Sequence, residues 1–508
     1  MTTTTVRTTG HGPVAGRAEG DGGVFLGVPY GAPTDGAGRF APPRPPEPWS
    51  EPFDCTRPGP SAPQNPSILE TALGMHGMTY TEDCLRLNVF SPDLDGSAPV
   101  MVWLHGGGFE TGTASMSWYD GRSLARRGVV VVAVGYRLGA LGYLRVPGAD
   151  GSGCFGLLDQ IAALEWVRDN VAAFGGDPDR VTVFGESAGA MSIGALLGAP
   201  TASGLFHRAI LQSGSTHNVH SDAHAGTVAG RFAAAAGVAP DDLDALRALS
   251  LDDVLAAQGA IGRDDDGSFG LPWQPMLGSD AVPGHPLEAV RAGAAAGVDL
   301  LVGTTLDEMK LFPLISPGLA EVDAETLRAR AEAYSTSAGR EPGSLLAAYD
   351  ARTGALPAPD RWLDLLTDLV FRIPAIRLAE AQARHGARVR MYLFAERSDL
   401  LGSCHALDLP YTWDNLDAPG TEVLVGALTD ERRRLARQMG DAWTSFAAGA
   451  DDPGPDDVPE WPAYDEGRRA TMRFAAAGVD VVDDPMASER AWWDGLDAGV
   501  SFDSSIPV

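Results

Sequence analysis

Val181-Thr182-Val183-Phe184-Gly185-Glu186-Ser187-Ala188-Gly189 is the stretch on which the fold turns. Its first four residues are β-branched or aromatic and predict a strand. The small residues from Ala188 to Ala199 predict a closely packed helix directly after it. Between them lies a Gly-x-Ser-x-Gly pentapeptide. Alone that pattern is common by chance; at a strand-to-helix junction it is the context of a nucleophile elbow. The turn there is tight, so Gly185 and Gly189 stand where a Cβ would collide, and the Ser187 hydroxyl is thrust outward.

Working outward, the sequence alternates strands and helices. Upstream, Val100-Met101-Val102-Trp103-Leu104 is a continuous apolar run that suits a strand buried on both faces. Val129 to Val134 is another. Apolar residues at 161, 164, 167, 171 and 174 form one helix face, which Gly175-Gly176-Asp177-Pro178 ends. Ala209-Ile210-Leu211, Leu300-Leu301-Val302 and Val389 to Phe394 predict later strands. This alternation argues an α/β fold with a mostly parallel central sheet and helices on both faces. The Ala- and Leu-rich stretches 222–262 and 320–384 have helical spacing and read as insertions around the mouth of a site. Residues 1–22 read as a polar, Gly-rich N-terminal segment, Val24 to Tyr30 as a short strand, and residues 31–66 as mostly irregular. With no internal repeat, residues 1–508 are expected to form a single domain.

His105-Gly106-Gly107-Gly108-Phe109 follows the strand at 100–104. Consecutive glycines leave backbone N–H groups unshielded, so they can point at a developing oxyanion. The expected donors are the N–H groups of Gly107, Gly108 and Ala188, while His105 shapes the loop. No Gly-Lys-Ser/Thr follows, which discounts a phosphate cradle.

A serine hydroxyl needs a base. Of the ten histidines, His405 lies in a loop after the strand at 389–394, where a Ser…acid…His chain order puts the base. His217, His220 and His224 share a polar loop; no metal site is expected there. The acid belongs after the strand at 300–302, where Asp307 and Glu308 both qualify by position.

The composition limits the alternatives. With 38 basic and 67 acidic residues the net charge is −29, which excludes a general phosphate-backbone binder and disfavours anionic membranes. Lys310 is the only lysine. The first residues contain no apolar core of a secretory signal, and Val129 to Val134 falls short of the roughly 20 residues that span a bilayer. A cytoplasmic protein, favoured as a monomer, is expected, with Cys55, Cys84, Cys154 and Cys404 as free thiols.

At this point the sequence resembles the type-B carboxylesterase and cholinesterase-like branch of the α/β-hydrolases, near the bacterial para-nitrobenzyl esterases. The resemblance runs from about Val24 to Trp493. Its motifs are Arg39-Phe40, Glu82 to Val89, His105 to Phe109, Tyr119-Asp120-Gly121, Tyr136-Arg137-Leu138-Gly139, Gly156 to Gln160, Phe184 to Gly189, Gln212-Ser213-Gly214, Gly303 to Glu308 and His405 to Pro410. It implies an α/β-hydrolase fold and Glu308, rather than Asp307, as the acid of a Ser187–His405–Glu308 triad. It also implies supporting roles for Glu186 and Ser213, and buried ion pairs Arg39–Glu82 and Arg137–Asp159. Two features depart from the family pattern. Cys154 stands where the family often has Asn. Cys55 is the only cysteine upstream of Cys84 and lies too early for the disulfide of animal members, so that bridge is not carried over.

The expected activity is hydrolysis of small carboxylic esters, aryl and short-to-medium acyl esters first, with no cofactor and no metal. The same triad acting mainly on amides, carbamates or thioesters is the alternative. A non-catalytic binding protein on this fold is disfavoured because Ser187, Glu308 and His405 are all present. Met75, Met78, Phe109, Trp118, Phe269, Trp273, Met309 and Phe312 adjoin the motif loops and are candidates for the pocket wall.

Overall fold

The computed structural model describes residues 3–65, 78–261 and 270–496. Among these, thirteen strands form one sheet. They are β1 (Thr4–Thr9), β2 (Gly12–Glu19), β3 (Gly22–Pro29), β4 (Phe53–Asp54), β5 (Arg86–Ser91), β6 (Ala98–Leu104) and β7 (Val130–Val134). The rest are β8 (Gly176–Glu186), β9 (Arg208–Gln212), β10 (Asp299–Thr305), β11 (Val389–Phe394), β12 (Ala470–Ala475) and β13 (Gly478–Asp483). The order is β1-β2-β3-β5-β7-β6-β8-β9-β10-β11-β12-β13, with β4 beside β2. From β7 through β12 every neighbouring pair is parallel. The pairs on the path at either end are antiparallel.

The continuous apolar runs are explained by two cores, one on each face. In β6, Val100, Val102 and Leu104 join one cluster, and Met101 and Trp103 the other. In β7, Val130, Val132 and Val134 separate from Val131 and Ala133 in the same way. Side chains alternate with period two, so a strand with a core on each side has no polar face. The helix Ala188–Leu197 covers the first face through Ile193 and Leu196. The helix Asp430–Ala448 covers the second through Leu435, Met439 and Trp443.

Both Ala- and Leu-rich stretches hold helices. Asp222–Ala236, Leu243–Ala248 and Leu251–Ile261 fill the first. The second holds Ala324–Ser337, Ser344–Thr353, Ala358–Thr367 and Ile373–Ala383. A π-turn at Asp368–Arg372 joins its last two helices. The polar, Gly-rich N-terminal segment contains two antiparallel strands over residues 4–19, with Val14 buried in the first core. The hairpin of β12 and β13 was not anticipated.

Both expected ion pairs form in the interior. Arg39 and Glu82 meet at 2.6 Å, and Arg137 and Asp159 at 2.7 Å. Cys154 keeps a polar role despite replacing an amide: Met276 N–H donates to its sulfur at 3.3 Å, and Ser279 Oγ lies 3.2 Å away. All four cysteines are buried free thiols.

Candidate active site

The candidate residues gather at the C-terminal ends of the parallel strands, where open α/β sheets place their sites. The glycine loop leaves β6, Ser187 leaves β8, Glu308 follows β10, and His405 follows β11.

Ser187 has φ 53° and ψ −125°, which a residue with a Cβ adopts only under local strain. The elbow is held by Ser187 N–H donating to Gln212 O at 2.9 Å and Met191 N–H donating to Ser187 O at 2.8 Å. A Cβ on Gly189 would come within 1.9 Å of Leu104 O, and one on Gly185 within 2.8 Å of the same oxygen. The two glycines thus let the helix start press against the end of β6. Ser213 also has φ 53°, its N–H donates to Gly303 O at 2.9 Å, and its buried hydroxyl has no partner among the described residues.

The loop after β6 turns through Gly107 (φ 115°), Gly108 (φ 62°) and Phe109 (φ 61°). His105 stacks on Tyr136 at 4.5 Å, with Nδ1 2.9 Å from Gly106 O. Tyr136 OH donates to His105 O at 2.6 Å. Burial pushes the His105 pKa down to about 4, against the Gly106 contact, so the ring is neutral and structural at pH 7. Among the described residues, no protein acceptor takes the N–H groups of Gly107, Gly108 or Ala188.

His405 is enclosed. Its Nδ1 lies 2.7 Å from Glu308 Oε2, and Glu308 Oε1 accepts the Thr305 N–H at 2.7 Å. His405 Nε2 faces the elbow, 3.0 Å from Glu186 Oε1. That approach lies off the direction of an Nε2–H bond, and Glu186 Oε1 has no hydrogen-bond partner among the described residues. Phe312 and Phe371 flank the imidazole at 5.1 and 4.9 Å. Asp408 lies beneath, its Oδ2 accepting from Gln212 Nε2 at 3.0 Å and Tyr392 OH at 2.9 Å.

Two buried carboxylates thus contact one imidazole, and the charge of Asp408 adds to theirs. Burial works against charging His405, but Glu186, Glu308 and Asp408 outweigh it and raise its pKa to about 9. Burial raises Glu186 to about 8, opposed by His405 and reinforced by Asp408 and Glu308. Asp408 rises to about 6, again chiefly from burial. An imidazole held at Nδ1 by a carboxylate, with Nε2 beside Glu186 of the elbow, can take up and return a proton.

A profile of the carboxylesterase family matches residues 2–491. The chain belongs to the carboxylesterase family. It is 39% identical to the para-nitrobenzyl esterase of Bacillus subtilis over 492 residues, covering 95% of this chain and 97% of that protein. It is 34% identical to the phenmedipham hydrolase of Pseudarthrobacter oxydans, covering 95% and 98%. Among solved structures, the carboxylesterase of Geobacillus stearothermophilus superposes with a TM-score of 0.87 at 38% identity, covering 96% of this chain and all of that one. This carboxylesterase is therefore an α/β-hydrolase of type B, a serine hydrolase acting on esters. Among the described residues no helix is long and apolar enough to cross a membrane.

Of the pocket candidates, Phe312 is brought against His405. Phe109 is buried edge-on to Tyr143 at 5.1 Å, and Met309 is buried with its N–H on Thr367 Oγ1. Trp273 is buried edge-on to Phe232. Trp118 belongs to the core on the other face, with Nε1 donating to Pro419 O at 3.1 Å. Met78 is partly exposed. Met75 and Phe269 lie outside the described residues. Sequence reasoning missed Phe371, which has no motif, and Asp408, which sits three residues after His405 in a stretch already singled out.

Proposed function

We propose that Ser187, His405 and Glu308 are the catalytic triad of this esterase. The observation that carries the reading is the 2.7 Å contact between His405 Nδ1 and Glu308 Oε2, at the elbow that bears Ser187. In the reacting arrangement His405 Nε2 accepts the Ser187 proton as Oγ attacks the ester carbonyl. The N–H groups of Gly107, Gly108 and Ala188 receive the oxyanion, a role supported by their lack of protein acceptors. The imidazolium gives its proton to the leaving alkoxide, releasing alcohol and leaving the acyl group on Ser187. Water then adds its oxygen to the acyl carbon while His405 takes its proton. Collapse returns the proton to Ser187 Oγ and frees the acid.

Glu308 holds the ring orientation and the imidazolium charge. Glu186 supports that charge from the other side, and Ser213 backs the elbow. The aromatic wall of Phe312 and Phe371 favours aryl and short-to-medium acyl esters. Matched para-nitrophenyl esters and para-nitroanilides test this reading. Esters are expected to turn over and anilides to lag far behind; a faster anilide would assign the site to amides. Ser187→Ala is expected to abolish both activities, and retention of ester hydrolysis would refute the nucleophile.

A further inference from the structure

We propose that Asp307 is a positioning residue whose carboxylate clasps the loop carrying His405 to the loop carrying Glu308. This rests on the triad reading above and extends it to what sets the imidazole in place.

The two loops leave adjacent parallel strands, β10 and β11, and are stapled by three main-chain bonds. Leu306 N–H donates to Phe394 O at 2.9 Å, Asp307 N–H to Ser403 O at 2.8 Å, and His405 N–H to Glu308 O at 3.2 Å. The Asp307 side chain adds a fourth, with Oδ2 accepting the Ser403 N–H at 2.9 Å. Asp307 and Ser403 therefore exchange a reciprocal pair of bonds two residues before His405. Ser403 Oγ ties the same point to Phe394 O at 2.8 Å.

The neighbourhood is shaped for that carboxylate. Gly402 has φ 61°, and a Cβ there would lie 2.6 Å from Asp307 Oδ2, so the loop closes on the carboxylate only with glycine at this position. Lys310 Nζ lies 3.1 Å from Oδ1, and an Arg397 nitrogen 3.4 Å from Oδ2. The single lysine of the chain and an arginine thus pair with the same carboxylate that accepts the Ser403 N–H. The contacts of the Asp307 carboxylate are to Ser403, Lys310 and Arg397 and not to His405, so the clasp acts through the loop.

Loosening the clasp lets His405 drift from Glu308. The ring is faced by Glu308, Glu186 and Asp408, all of which favour its charged form. Weakening the Glu308 contact lowers the pKa of the imidazole, so the pH midpoint of kcat moves down. A fold-only role would lower the amount of folded enzyme without moving that midpoint.

The test is kcat and KM of the full chain against pH, with a para-nitrophenyl ester. Asp307→Ala is expected to lower kcat about tenfold or more, leave KM within about twofold, and shift the midpoint downward. Asp307→Asn keeps an oxygen for the Ser403 N–H and is expected to recover most of that loss. Gly402→Ala pushes on the carboxylate and is expected to act in the direction of Asp307→Ala, carrying the test if the latter does not fold. A wild-type kcat and midpoint in Asp307→Ala, or an equal loss in the Asn and Ala variants, would overturn the clasp. Ser187→Ala assayed alongside separates the failures: if it stays active, the triad reading has failed.

Discussion

Two buried charge clusters lie in the same molecule and are built differently. At the scaffold cluster one cation meets one anion. Arg137 gives Asp159 Oδ2 both its Nε–H at 2.8 Å and its backbone N–H at 3.0 Å, and Oδ1 a third bond at 2.7 Å. The rest of the guanidinium donates to Ala41 O and Phe155 O. At the site, two carboxylates contact one imidazole and the charge of Asp408 adds to theirs, while Glu186 Oε1 and Asp408 Oδ1 have no hydrogen-bond partner among the described residues. The first cluster is charge-matched and hydrogen-bonded throughout, although burial raises the Asp159 pKa against its pairing with Arg137. The second is over-supplied with negative charge and sits at the edge of protonation. A matched pair holds the scaffold, and the mismatched cluster raises the pKa of the imidazole among its carboxylates.

The sharpest way to break this contrast is to neutralise each cluster in turn. Glu308→Gln is expected to lower kcat by about 10³-fold or more, by analogy with removing the charge of a triad acid. Its amide oxygen can still accept the Thr305 N–H, so the urea midpoint should change little. Arg137→Met should do the reverse. It leaves Asp159 charged and unpaired in the interior, at a cost of about 3–5 kcal/mol in denaturant titration. In whatever enzyme remains folded, kcat should stay near wild type. If Glu308→Gln destabilises the fold as much as Arg137→Met does, the two clusters do not differ in kind.

A smaller effect is expected at Glu186. On the proposed mechanism the free base of His405 is the active form, so activity should rise with pH through a midpoint above the ordinary imidazole value of about 6.5. Glu186→Gln removes one carboxylate that favours the charged ring and should move this midpoint to lower pH in a kcat/KM profile. An unmoved midpoint would remove Glu186 from the electrostatic account.

The smallest effect concerns stability. The pKa values of Glu186, Asp408 and His405 are all raised in the folded protein. At these three groups the folded state therefore holds more protons than the unfolded one. Each raised group favours folding below its unfolded pKa and loses that advantage as pH rises through its folded pKa. For Glu186 that window runs from an ordinary carboxyl value up to about 8. Between pH 5 and pH 8 the urea midpoint of Glu186→Gln should shift upward relative to that of wild type, because the variant lacks the advantage that wild type loses over this range. An identical slope in both would contradict the assignment.

What the sequence disclosed follows the same division between local and distant causes. The strands around residues 100–104, 181–184 and 209–211 are legible because a strand with a core on each face must be apolar throughout. The elbow and the glycine loop are legible because tight turns demand particular residues at particular positions. Residues 4–19 hid their strands, since Gly12 and Gly16 interrupt the pattern of an antiparallel pair that is fixed by its neighbours. Position alone left Asp307 and Glu308 equivalent, and only the family resemblance separated them. The geometry then gives them distinct partners, Ser403 for one and His405 for the other. Phe371 was invisible because it reaches His405 from a π-turn inside a helical insertion, a contact no local pattern encodes. Asp408 could be read as a motif residue but not as the third carboxylate, because its approach depends on Gln212 and Tyr392 from two other strands.

The central claim is that Ser187 is the nucleophile the mismatched cluster activates, and covalent labelling tests it most directly. A para-nitrophenyl organophosphate should inactivate the enzyme, release one equivalent of para-nitrophenol per chain, and leave its phosphoryl group on the peptide containing Ser187. Full inactivation with the label on any other residue, or labelling of Ser187 with activity retained, would contradict the account.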